Sequence, residues 1–353
     1  MDPISSGGVS RSEISVFVYC PIGVQTGGPE ALHQLVFTLR ELGVQAALVP
    51  TPSTRKFKPV AAYEHYACPI VPEILDAEGR SVVVPESELQ LLLGFKKARH
   101  VVWWLSIDNS TLHEIAMTRT RSGLLSRELA QVFKRRFEHV RLGQYSGRRA
   151  IVKALDRASH VAQSAYAVGR LADEFGIAAD VLSDFTYKSS ELPQLRDHDR
   201  GSRVAYNPAK GKAFIDELSI ISDFDLIPIE GLDAEGVRER LSAAAVYVDL
   251  GHHPGRDRMP REAALCDSIV IAGRRGAASL AEDLPISDEL KVDMAGSRRE
   301  VALRARAVIQ RVLSDQDYWR NQQQGFREQI KSEQDRFTSE VRHLFVEWDS
   351  SAT

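Results

Sequence analysis

Two short apolar runs bracket a loop of proline, glycine and charge, and their spacing restricts the local fold more tightly than any other part of the chain. Ala245-Val-Tyr-Val-Asp-Leu250 and Ser268-Ile-Val-Ile271 have the length and β-branched content of buried strands. Between them runs GHHPGRDRMPREAALC, from Gly251 to Cys266. Only Met259 to Cys266 reads as helix, and a strand–helix–strand unit of this size joins parallel strands. Pro260 falls in the first helical turn, where its missing N–H costs nothing. Glu262 is expected in the same turn, where the helix dipole favours a carboxylate and the side chain can point into the crevice beyond the strand ends.

The same alternation opens the chain. Ile14 to Cys20 is a strand, Pro21 to Gly28 a turn-rich loop, and Glu30 to Leu42 a helix with apolar residues at Leu32, Leu35, Val36, Leu39 and Leu42. Gly43 closes that helix and Val44 to Val49 is the next strand, which makes a βαβ unit of doubly wound type. In the loop TGGPEALHQL, Gly27 and Gly28 permit close backbone approach, and the helix start offers N–H groups to a phosphate. A turn that merely allows packing is the alternative. The spacing Gly23, Gly27, Gly28 is not G-x-G-x-x-G, which disfavours a dinucleotide dehydrogenase.

His100 to Leu105 is a buried strand, and Asp108 follows at its C-terminal end, where α/β sheets bind ligands. Asp108 is therefore a candidate catalytic base, or else the N-cap of a helix after it. Tyr63, His65 and Tyr66 lie in a loop-rich section of the kind that contacts acceptors. Further on, the strand Arg203 to Tyr206 runs into Asn207-Pro-Ala-Lys210-Gly211-Lys212, a Gly–Lys turn at a helix start suited to phosphate.

PREAALCDSIVI, with its proline loop, Glu-Ala-x-x-Cys pattern and following strand, resembles the donor-site motif of the group-one class of GT-B-fold glycosyltransferases. The resemblance implies two Rossmann-like α/β domains facing a central cleft, with a C-terminal helix crossing back to the first domain. It implies that Glu262 accepts hydrogen bonds from the ribose of a nucleotide, that Gly27 and Gly28 lie beside the donor diphosphate, and that Lys210 or Lys212 holds that diphosphate. Relatives carry a second Glu eight positions before the first, for the transferred sugar, and here that position is Pro254. A divergent member is the expectation, with His252, His253, Arg256, Asp257 or Arg258 handling the sugar instead.

A length of 353 residues fits two domains, drawn here as 1–185 and 203–314 with a linker at 186–202 and a crossover helix and tail at 315–353. The net charge of −3 speaks against a nucleic-acid partner. Cys20, Cys68 and Cys266 are scattered through or beside apolar runs, as reduced thiols of a cytoplasmic protein would be. No apolar run approaches the ~20 residues of a membrane span. Lys134 to Arg157 is locally basic, which a solvated helix face explains and which also suits peripheral contact with an anionic membrane at its inner face.

The reading is a glycosyltransferase that moves a sugar from a nucleotide diphosphate-sugar to a hydroxyl on a glycan or lipid-linked acceptor, in bacterial surface polysaccharide synthesis. Asp108, Arg256 and Arg258 are the catalytic candidates; Gly27, Gly28, Lys210, Lys212, Pro260 and Glu262 are the donor-binding ones. Fixed N–H groups and cations stabilise the leaving diphosphate without a metal or cofactor. Relatives retain anomeric configuration, while an inverting route through Asp108 stays open. The rival readings are a nucleotide-sugar epimerase and a non-catalytic nucleotide-sugar-binding subunit. Adjacent His252 and His253 do not converge easily on one ion, so no metal site is expected.

Overall fold

The computed structural model describes residues 11–110, 148–186 and 200–347. They divide into two compact units, one from residues 11–110, 148–162, 170–180 and 344–347, the other from 163–169, 181–186 and 200–343.

The first unit is built from β1 (Val16–Cys20), α1 (Gly27–Glu41), β2 (Ala46–Pro50), β3 (Ser81–Pro85), β4 (Arg99–Trp104), α2 (Arg148–Leu155), β5 (Ser159–Ala162), α3 (Ala165–Phe175) from Arg170 onward, and the first residue of β6 (Asp180–Val181). Its sheet has the order β2-β1-β3-β4-β5-β6, and β1 to β5 pair in parallel. Every residue of β1 and β3 is buried, as expected of strands covered on both faces, so these runs read as continuous apolar segments without alternation. Between β3 and β4 lies a 3-10 segment, Glu86–Gly94, broken at Glu88.

The second unit comprises β7 (Arg203–Tyr206), α4 (Lys212–Ile221), β8 (Asp225–Pro228), α5 (Ala234–Ala243), β9 (Val246–Asp249), α6 (Arg258–Leu265), β10 (Ile269–Gly273), β11 (Lys291–Val292), α7 (Arg298–Ser314), α8 (Gln316–Gln322), α9 (Gln324–Lys331) and α10 (Glu333–Arg342). Its sheet, β11-β10-β9-β7-β8, is parallel throughout. Residues of β7, β9 and β10 form one core with Leu241, Ala263, Ala264, Val301, Ile309 and Trp319. Ser297 and Glu300 form a reciprocal cap that starts α7.

Two boundaries differ from those expected. The chain enters the second unit at Val181, before the residues read as linker; of those, 187–199 lie outside the described residues, and Arg200 is buried with its guanidinium donating to Ala244 O and Cys266 O. The terminal helical pattern is three helices that stay in the second unit, and the chain returns to the first only at Leu344, whose carbonyl accepts from Arg99. Much of the basic run, residues 134–147, also lies outside the described residues. Among the described residues no helix is long and apolar enough to cross a membrane, and Cys20, Cys68 and Cys266 form no disulfide.

Candidate functional site

In each sheet the strand order reverses once, and such a reversal leaves a gap above the strand ends where the two connecting loops part. In the second unit β7 leads outward to β8, and the chain then recrosses to β9 on the other side of β7. The loops after β7 and β9 are pressed together at that gap. A Cβ on Gly211, whose φ is +67°, would stand 2.8 Å from Leu250 C and Gly251 N, and one on Gly251 would stand 2.8 Å from Lys210 Cβ. Only glycine lets these backbones meet, and the meeting puts the start of α4 beside the end of β9.

Four charged side chains collect there. Asp249 ends β9; its Oδ1 accepts from Gly251 N at 2.9 Å and its Oδ2 from the Tyr247 hydroxyl at 3.3 Å. His253 is buried between two carboxylates, with Nε2 3.5 Å from Asp249 Oδ1 and Nδ1 2.9 Å from Asp257 Oδ2. Asp257 also takes Lys210 Nζ at 2.5 Å. The His253 backbone is fixed in turn by Ala277 N, which donates to its carbonyl at 2.8 Å; Gly276 runs so close that a Cβ would fall 2.0 Å from that oxygen. Burial alone would lower the His253 pKa, but Asp249 and Asp257 raise it to about 9. Burial raises the two aspartates, and His253 and Lys210 outweigh it, so both lie below the ordinary carboxylate value.

One ligand atom from each of Asp249, His253 and Asp257 falls within a 4.8 Å cluster, a size a cation could use. The ring does not fit that use. Its two nitrogens point away from each other, each at a different carboxylate, so an ion on one nitrogen is turned away from the partner of the other. Lys210 adds a positive charge on Asp257 besides.

The sequence candidates separate at this crest. Lys210 joins the cluster with 31% of its side chain exposed; Lys212 points outward, 67% exposed, and pairs with Asp216 one turn along α4. Pro260 is buried in the first turn of α6 as expected. Glu262 is not in that turn: the helix begins at Arg258, so Glu262 is its fifth residue, beyond the strongest part of the dipole, with Oε1 3.6 Å from Arg258 Nε. Pro254, eight positions before Glu262, supplies no hydrogen-bonding side chain, and the carboxylate this loop does carry is Asp257.

Arg256 departs from its expected place among the cations facing a ligand. Its Nη2 is 2.6 Å from Glu333, a fully buried carboxylate on α10 that also takes Arg261 Nη1 at 3.0 Å. Arg261 Nη2 meets Asp184 at 2.8 Å, and Thr186 N donates to Glu333 at 3.1 Å. Arg258 Nη2 donates to Thr186 O at 2.9 Å. These arginines fasten the loop before α6 to α10 and to residues 184–186. Burial would lower the Arg261 pKa, but Asp184 and Glu333 drive it up, so it stays a cation. Arg261, Glu333 and Asp184 were invisible as a set in the sequence, being 149 residues apart at the extremes.

In the first unit the reversal falls between β1 and β3. Gly27 and Gly28 start α1 there. A Cβ on Gly28 would meet only Leu105 Cδ1, at an ordinary 3.7 Å, so packing does not require a glycine at this position. Tyr63 and Tyr66, in the loop-rich section, are buried supports of this helix: the Tyr63 hydroxyl donates to Thr26 O at 2.9 Å and that of Tyr66 to Glu30 at 3.1 Å. Asp108 lies in a 3-10 turn beyond β4, ion-paired with Arg170 of α3, which also pairs with Glu174. The sequence reading missed Glu86, the first residue after β3. It is buried, accepts from Leu105 N at 2.9 Å, and is pushed up by burial to about 7 against the pull of backbone N–H groups.

Comparison with protein-family models finds no match, and comparison with curated proteins finds none either. Solved structures do match. Sucrose-phosphate synthase from Thermosynechococcus elongatus superposes with a TM-score of 0.64 at 12% identity, over 96% of this chain and 100% of that one. Anabaena Alr3699/HepE in complex with UDP-glucose gives 0.60 at 12%, over 95% and 99%. WaaG, a glycosyltransferase involved in lipopolysaccharide biosynthesis, gives 0.55 at 10%, over 92% and 99%. Identities this low speak for architecture, and with two parallel, singly reversing sheets the chain has the α/β two-domain fold seen in GT-B glycosyltransferases.

Proposed function

We propose that the protein is a glycosyltransferase that moves a sugar from a nucleoside diphosphate-sugar to a hydroxyl acceptor, with the nucleotide held at the β7/β9 crest of the second unit. One observation carries this: the glycine-closed meeting of the Lys210–Gly211 and Leu250–Gly251 loops, which sets a lysine and a helix start at the reversal of the sheet. Neighbours of the same fold include one solved with UDP-glucose and one named for lipopolysaccharide biosynthesis, which favours a sugar-nucleotide donor and a surface-glycan acceptor.

Departure of the nucleoside diphosphate leaves growing charge on its phosphates, and Lys210 with the first N–H groups of α4 meets that charge. No metal is assigned to this step, because the acidic groups of the crest are already matched by His253 and Lys210. Glu262 is assigned the ribose, and Gly27 and Gly28 remain anion-facing groups of the first unit. Asp108 is assigned to the acceptor hydroxyl, with Arg170 orienting it; Arg256 and Arg258 are assigned to holding the loop.

The test is Glu262→Ala. If Glu262 receives both ribose hydroxyls, titration calorimetry with uridine, guanosine and adenosine diphosphates shows affinity for the preferred base falling about tenfold to 150-fold, the equivalent of roughly 1.5–3 kcal/mol. The 2′,3′-dideoxy form of that nucleotide then binds parent and variant alike. Unchanged affinity for the ribose form, with a lowered melting temperature, makes Glu262 structural and removes the ribose assignment.

A further inference from the structure

The charge cluster of the second unit yields one more role, which rests on a nucleoside diphosphate binding at this crest. We propose that His253 is a doubly protonated imidazolium that holds Asp257 in place, so that Lys210 can leave that carboxylate for the ligand's phosphate. His253 would thus be a positioning residue, touching no substrate.

Attraction from both carboxylates favours both ring protons, with Nδ1 2.9 Å from Asp257 and the buried Nε2 lying 3.5 Å from Asp249 without a completed hydrogen bond. A neutral imidazole has one donor and one acceptor nitrogen, and each nitrogen here faces a carboxylate oxygen, at 2.9 Å and 3.5 Å. In the neutral form a lone pair would be set against one of two carboxylates inside a site where His253 and Asp249 are almost wholly buried. That arrangement is costly in a low-dielectric setting and the charged form removes the cost. The groups that face the ring are Asp249 on β9, Asp257 before α6 and, through them, Tyr247 and Lys210; Glu262 acts on Tyr247 from α6. Two carboxylates against one imidazolium and one ammonium leave no net charge.

Lys210 is the member with the most solvent access, at 31% against 3% for His253, 1% for Asp249 and 19% for Asp257. It is therefore the one a phosphate can draw away. When it moves, Asp257 keeps His253 as its counter-charge. With a neutral group in place of His253, Lys210 would be the sole cation of Asp257, and its departure would leave an uncompensated negative charge facing the incoming phosphates.

The experiment measures binding of uridine, adenosine and guanosine diphosphates to the full chain at pH 7.5. His253→Gln is expected to weaken the best of them about tenfold or more. Adding Asp257→Asn, which frees Lys210, is expected to restore affinity to within about twofold of the parent. Nitrogen-15 NMR of the parent should show protons on both His253 ring nitrogens at pH 7.5, a reading that needs no folded variant. A singly protonated ring overturns the proposal, as does His253→Gln with parental affinity or a double variant no better than the single one. Failure of the parent to bind any of the three diphosphates overturns the donor assignment and this role with it; unaltered binding in His253→Gln overturns the positioning role alone.

Discussion

The two strand-end crests share a topology and differ in how they carry acid. In the first unit Glu86 is buried beside the end of β4 with backbone N–H groups as its partners, and burial dominates, raising it to about 7. In the second, Asp249 is as deeply placed and Asp257 is half-buried, yet His253 and Lys210 hold both below their ordinary value. The lesson is that burial sets the direction of a carboxylate's shift only where no cation stands within reach. A crest with paired charges offers fixed electrostatics to an anion; one with a lone acid changes its charge near neutrality.

The paired crest can be broken most severely behind its ligand face. Arg261→Met leaves Asp184 and Glu333 buried without their shared cation, and removing one partner of such a group costs about 3–5 kcal/mol. A correspondingly lowered denaturant midpoint is expected; an unchanged one would mean that the network does not support the unit. The lone acid answers in the opposite direction. Because its folded pKa is raised from 4.5 to about 7, the stability linked to Glu86 is full below about pH 4.5 and lost as pH rises through 7. Glu86→Gln, which mimics the protonated form, should gain roughly 2–3 kcal/mol over the parent between pH 4 and pH 8. His253 is raised from 6.5 to about 9, so its contribution is full below about pH 6.5 and disappears only as pH rises through 9. Denaturation across pH 4 to 10 should therefore show two separate losses, the lower abolished by Glu86→Gln. The smallest contrast lies within the second crest. Lys210→Ala should weaken diphosphate binding about tenfold, while Lys212→Ala, on the solvent side of α4, should leave it unchanged. Equal effects would mean that the start of α4, rather than the cluster, attracts the phosphate.

Elements with local causes were legible in the chain. β7 occupies the residues expected, and α1 begins three residues early and ends one residue early, since apolar spacing and a closing glycine act over a few residues. The helical pattern expected from Tyr318 to Leu344 broke for a distant reason. Gln323 is buried, and its amide donates to Val270 O at 2.9 Å and accepts from Val270 N at 3.0 Å, pairing a β10 backbone that the two-residue β11 does not reach. The site was legible where a motif held it. Lys212 and Asp216, four apart, already marked an outward pair that could have separated Lys212 from Lys210. Asp249, His253 and Asp257 are also spaced by four, a regularity with no meaning in a loop until Gly276 and Ala277 shape that loop. Glu86 had no signal at all, because its burial depends on where β4 ends.

The connection at residues 183–186 has a last consequence. Glu340, near the end of α10, accepts from the amide and hydroxyl of Ser183, each at 2.7 Å, just where the main body of the second unit begins. Entry and exit of some 160 residues are thus clasped at one point, so that stretch is a closed loop of chain spliced into its host. A gene encoding it could be lengthened, exchanged or rejoined end to end without rerouting the strands of the unit that carries it, and this clasp is the natural junction for such a graft.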